Sequence, residues 1–124
     1  MTKVGIVIVS HSKWIAQGLV DLISEVAKDI VLTYVGGTED GGIGTSFEQV
    51  QTVVEANKAE KILAFFDLGS ARMNLELVAD FSDKDIIINN VPIVEGAYTA
   101  AALLQAGADL ATIQEQLKEL EIKK

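Results

Sequence analysis

The chain opens on an apolar run, Val4-Gly5-Ile6-Val7-Ile8-Val9, that breaks at once on Ser10-His11-Ser12. A β-branched stretch with no polar interruption predicts a strand buried on both faces of a parallel sheet. Directly after it, Ile15, Leu19, Leu22, Ile23 and Val26 recur at helical spacing. The polar triplet is therefore the turn between a first strand and a first helix, with Ser12 as N-cap, and the helix fades near Lys28-Asp29. The same change of period then repeats along the chain. Residues 30–35 read as a second strand, and residues 36–45, with five glycines in ten positions, as a loop that no regular element survives. Ser46 caps a second helix carried by Phe47, Val50, Val53 and Val54 and ending around Asn57-Lys58. Residues 61–66 form a third buried strand that stops at Asp67-Leu68-Gly69-Ser70, and a helix over 72–80 follows with Met73, Leu77 and Val78 or Phe81 facing inward. Residues 85–89 are a fourth strand, and a short loop holds the only proline, Pro92. Val94-Glu95-Gly96-Ala97 leads into a small-residue helix up to Ala106-Gly107. A last helix over 112–120 sets Leu110, Ile113, Leu117 and Leu120 on one stripe.

Strands and helices alternating in this way imply an α/β fold: an open parallel sheet in a three-layer α/β/α domain, with helices on both faces. The common strand order for such a chain is 2-1-3-4, which makes strands 1 and 3 neighbours at the point where a ligand crevice opens beyond their carboxyl ends. His11 ends strand 1 and Asp67 ends strand 3, so this topology puts the chain's only imidazole opposite a carboxylate.

Size and charge narrow the functions available. A length of 124 residues is one domain, residues 1–124, with no repeat and no linker. Ten Lys and Arg against eighteen Asp and Glu leave a net charge of −8, a field that repels nucleic acid and acidic partner surfaces. The absence of Cys and the single His exclude cysteine nucleophiles and the usual zinc or iron–sulfur sites, and neither metal nor cofactor is expected. The first apolar run lacks a small-residue cleavage site, and the run at Ala100-Ala101-Ala102-Leu103-Leu104 is far short of the ~20 residues that span a bilayer, so no membrane insertion and a cytoplasmic location are expected.

An imidazole with a carboxylate on one nitrogen has its tautomer fixed and its other lone pair free to attack. A carboxylate there also stabilises positive charge on the ring, which suits His11 to accept a phosphoryl group and Asp67 to orient and steady it. Backbone N–H groups at the helix starts after Ser12 and Ser70, with the glycine loop as a third wall, suit the same anion. Phosphate-binding or partner-contact candidates are accordingly Ser10, Ser12, Gly42, Gly44, Thr45, Gly69, Ser70 and Arg72. Each residue has a plainer reading too. His11 is then a surface or capping residue, Asp67 a helix cap, the glycine loop a connector without the Gly-Lys-Ser/Thr ending of a P-loop, Trp14 a half-buried apolar contact, and Arg72 part of a solvated helix face. What favours chemistry is that His11, Asp67 and the loop all fall on one edge of the sheet.

Four segments in order, Gly5-Ile6-Val7-Ile8-Val9-Ser10-His11-Ser12, Gly41-Gly42-Ile43-Gly44-Thr45-Ser46, Asp67-Leu68-Gly69-Ser70-Ala71 and Val94-Glu95-Gly96-Ala97, resemble the DhaM family. These are phosphotransfer subunits of phosphoenolpyruvate-dependent dihydroxyacetone kinases, related to the mannose-type IIA domains of the bacterial phosphotransferase system. The resemblance implies that His11 takes a phosphoryl group from phospho-HPr and gives it to ADP on the DhaL subunit, with DhaK downstream using the regenerated ATP on dihydroxyacetone. It implies that Asp67 hydrogen-bonds the histidine ring. Some relatives carry HPr-like and enzyme-I-like domains; this chain stops at Lys124, so a separate HPr is expected. Residues 98–106 are apolar almost all round, sandwiched in the monomer or shared with a second copy, and a homodimer is expected. The alternatives are a IIA component of a mannose-type sugar transporter donating to a IIB domain, a receiver-like domain phosphorylated on Asp67, and a binding module that takes no covalent phosphate. The receiver reading is disfavoured because Ser10-His11 stands where such domains carry acidic metal ligands.

Overall fold

A computed structural model describes residues 3–124. Its elements run β1 (Val4–Ser10), α1 (Lys13–Ser24), β2 (Val31–Gly36), α2 (Phe47–Ala56), β3 (Lys61–Phe66), α3 (Gly69–Phe81), β4 (Asp85–Asn89), α4 (Ile93–Gln105) and α5 (Leu110–Lys118). The four strands form one parallel sheet in the order β2-β1-β3-β4, as the alternation predicts. The two central strands alternate between two cores. Ile6 and Ile8 of β1 with Leu63 and Phe65 of β3 pack beneath α1, α4 and α5. Val7 and Val9 with Ile62, Ala64 and Phe66 pack beneath α2 and α3. Each large side chain so buried contributes roughly 1.5–3 kcal/mol, which is why these two strands tolerate no polar interruption.

Two tight approaches hold the carboxyl edge together. A Cβ at Gly36 would lie 2.7 Å from both Ala16 Cβ and Lys13 Cα, so only glycine lets β2 end against the start of α1. The Gly37 amide donates to the Ser10 carbonyl, tying the loop after β2 to the end of β1. Caps follow the expected chemistry at Ser12, Ser46 and Asp109, each accepting from an amide of the first turn.

Several boundaries and faces differ from the sequence reading. Helix α1 ends at Ser24, and its buried face is Ala16, Leu19 and Ile23; Ile15, Leu22 and Val26 lie toward solvent. Helix α3 begins at Gly69 instead of residue 72, which rotates the inward stripe to Ala71, Leu75 and Val78 and leaves Met73, Leu77 and Phe81 exposed. Helix α5 begins at Leu110 because Asp109 caps it. Helix α4 buries Gly96, Ala97, Ala100 and Ala101, while Leu103 and Leu104 also pack on the core. Its apolar circumference is thus largely covered within the monomer. No helix among the described residues is long and apolar enough to cross a membrane.

Candidate functional site

The register of β1 against β3 pairs Val9 with Phe66, so the chain leaves both strands at the same level. Ser10 and His11 emerge from one and Asp67 from the other. Asp67 Oδ1 lies 2.8 Å from His11 Nδ1. Its other oxygen accepts the His11 amide at 2.9 Å and the Ser10 hydroxyl at 2.8 Å, and the Leu68 amide donates to Oδ1 at 2.7 Å. Burial pushes the Asp67 carboxyl up, but the four hydrogen bonds outweigh it and hold the group below the ordinary carboxylate value. An ionised carboxylate only accepts, so Nδ1 carries the ring proton and Nε2 presents its lone pair. That nitrogen lies 2.5 Å from Ser70 Oγ, which donates to it. The His11 side chain is only 14 % exposed, so a reacting group must come to it from the open side of the carboxyl edge.

The other predicted residues divide by what their polar groups already do. Buried Ser10 accepts the Ser12 amide at 3.1 Å while donating to Asp67, and Ser12 spends its hydroxyl capping α1. The Gly44 amide donates to the His11 carbonyl at 2.8 Å, and Thr45 Oγ1 accepts from Asn74 on α3 at 3.4 Å, so the glycine loop is fastened to both sides of the site. The Gly42 amide is spent inside the loop, on Thr38 and Asp40, so it is not a free phosphate donor. Gly69 and Ser70 open α3, and among the described residues their amides have no acceptor in the chain; with the start of the helix they offer positive potential beside Nε2. Arg72 is turned elsewhere, its guanidinium reaching the Lys124 main-chain oxygen at 3.4 Å and Glu76 at 3.8 Å. Asp67 does not cap α3, whose N-cap, Leu68, makes no side-chain bond. Trp14 is 74 % exposed with the Lys13 ammonium over its ring, because it sits on the outer side of the first turn of α1.

Sequence reasoning missed Asn74 and Lys124. The Lys124 ammonium donates to the carbonyls of Phe66 at 2.7 Å and Val91 at 2.8 Å, directly behind Asp67. No periodicity marks either residue; a lysine after the last predicted helix carries no local signal of its contacts. Among the described residues no cluster of His, Asp and Glu has the makings of a metal site.

The family described as PTS system fructose IIA component, EIIA-man, matches residues 5–114. The chain is 60% identical, over 97% of its length and 98% of the relative's, to the PTS-dependent dihydroxyacetone kinase phosphotransferase subunit DhaM of Lactococcus lactis. It is 51% identical, over 96% of each chain, to the phosphoryl donor subunit DhaM of PEP-dependent dihydroxyacetone kinase 1 of Listeria innocua. Against a longer DhaM from Providencia stuartii the identity is 33% and the match spans 26% of that protein. Among solved structures, a protein of unknown function superposes with a TM-score of 0.85 at 30% identity, covering 98% of this chain and 97% of that one. A phosphotransferase system component EIIA from Streptococcus agalactiae shares the fold at a TM-score of 0.69 and 15% identity, over 94% of this chain and 90% of that one.

Proposed function

We propose a phosphohistidine relay for this chain, which belongs to the EIIA-man family and, within it, to the DhaM phosphoryl donor subunits of dihydroxyacetone kinases. In the relay His11 takes a phosphoryl group from the phosphohistidine of HPr and passes it to ADP held by a DhaL subunit; the ATP so made serves DhaK. The observation that carries this reading is the fixed tautomer, Nδ1–H on Asp67 and the Nε2 lone pair facing the open edge beside Ser70.

The Nε2 lone pair forms the new N–P bond as the donor's N–P bond breaks, and the product ring is cationic because it keeps its Nδ1 proton. Asp67 stabilises that cation without taking the proton. In the second transfer an ADP β-phosphate oxygen forms the P–O bond while the N–P bond breaks, returning neutral imidazole. Ser70 gives up its bond to Nε2 and donates to a phosphoryl oxygen, joined by the Gly69 and Ser70 amides. Phosphoryl transfer needs mostly positioning and charge stabilisation, so a nucleophile, a carboxylate and a helix start suffice. Trp14, Ile43 and Leu68, each exposed and each next to a segment that holds His11, form an apolar rim suited to docking a protein carrier. Both partners are protein-borne, and the relay is cytoplasmic.

The test is to mix the protein with phosphoenolpyruvate, enzyme I and HPr and weigh the product. One acid-labile, base-stable phosphate is expected, absent in His11→Ala; an adduct that persists in that variant overturns the reading. Adding DhaL and ADP should discharge it, whereas discharge only onto a IIB domain would assign the chain to a sugar transporter.

A further inference from the structure

The residues around Lys124 are more elaborately arranged than anchoring the end of the last segment requires. The Ile122 amide donates to the Asn90 carbonyl at 2.9 Å and Arg72 holds the Lys124 main-chain oxygen, so the segment is tied down without the lysine side chain. The side chain nevertheless crosses the ring of Phe66, 4.1 Å from its centroid, and sets its ammonium on two carbonyls at the carboxyl ends of β3 and the β4 exit. Phe66 is the residue before Asp67. A methionine or leucine would fill the same apolar contact, so a partly buried ammonium, which costs desolvation, calls for a role of its charge. The charged group that faces it is Asp67 from the β3 exit, with the Arg72 guanidinium turned to the Lys124 main-chain oxygen and Glu76, and its effect reaches His11 through Asp67.

We propose that Lys124 is a positioning residue for phosphoryl transfer: its ammonium locks the Phe66–Asp67 corner and supplies a positive charge behind the carboxylate that orients His11. The inference rests on the phosphohistidine reading. The Phe66 and Val91 carbonyls that accept from Lys124 carry partial negative charge close to the Asp67 carboxylate. An ammonium seated on both offsets that charge and fixes the peptide from which the carboxylate projects. Burial lowers the Lys124 pKa from its ordinary value while the negative charge of Asp67 opposes that fall, an electrostatic contact between the two groups without a direct ion pair.

The experiment compares wild type with Lys124→Met, which keeps the apolar stem, and Lys124→Arg, which keeps the charge. Single-turnover transfer from phospho-HPr should slow on the order of tenfold in K124M and stay within about threefold of wild type in K124R. A carbon-13 NMR titration of the Asp67 carboxyl should move upward in K124M, a readout that needs no phosphoryl transfer. Transfer by K124M at the wild-type rate, or an Asp67 titration left in place, overturns the proposal. A wild-type chain that takes up no phosphate while the K124M titration still shifts instead places the failure in the phosphohistidine reading.

Discussion

A single ring proton decides what His11 can do, and Asp67 decides where that proton sits. Asp67→Asn keeps the volume but turns an acceptor-only group into one that also donates, against the His11 amide or the Ser10 hydroxyl that now donate to it. Transfer should slow on the order of 100-fold while circular dichroism stays native-like. The same residue makes an acid prediction. Its native pKa is depressed, so its contribution to stability is complete above the ordinary carboxylate value of 3.8 and is lost as pH falls through the lower native one. Melting curves taken from pH 7 down to pH 3 should show Asp67→Asn losing less than wild type over the acid end. Ser70→Ala should cost only a few-fold in rate, since the Gly69 and Ser70 amides remain. At this scale His11 and Asp67 were legible because each is a polar residue at the end of an apolar strand. Lys124 was not, because its contacts depend on where the segment after α5 returns across the sheet.

Among the elements, α3 shows where periodicity stops being decisive. Its sequence carries two apolar stripes, Met73-Leu77-Phe81 and Ala71-Leu75-Val78, and spacing alone does not rank them. The exit of β3 ranks them, since a helix starting at Gly69 must turn the second stripe to the sheet. Leu75→Ala should therefore cost about 2–5 kcal/mol in chemical denaturation and Leu77→Ala within about 0.5 kcal/mol. Strands were read almost to the residue, because a buried strand admits few polar positions. The glycine loop gave only its irregularity to the sequence; that it clasps the His11 carbonyl through Gly44 is a tertiary fact. Gly44 has φ +144°, and a Cβ there would lie 2.9 Å from Thr38 Cγ2. Gly44→Val should strain the loop by about 1–3 kcal/mol and slow phosphoryl uptake, measured by melting temperature and by adduct formation.

For the whole molecule, topology followed from the alternation of elements, whereas association did not. Helix α4 spends most of its apolar surface inside the monomer, so the homodimer expected from the resemblance would draw on exposed apolar stripes elsewhere, such as Met73, Leu77 and Phe81 on α3. Light scattering at micromolar concentration should report twice the mass of one 124-residue chain, and a single-chain mass removes the dimer. Pairing Val9 with Phe66 also has a consequence for how activity is lost on heating. His11 and Asp67 meet because two adjoining central strands keep step, and a slip of one rung would carry them about 3.3 Å apart and reverse which way each points. Competence is thereby tied to the last part of the domain to melt, so heat inactivation and loss of tertiary structure should follow one common curve, with no loosened intermediate that has gone silent before it unfolds.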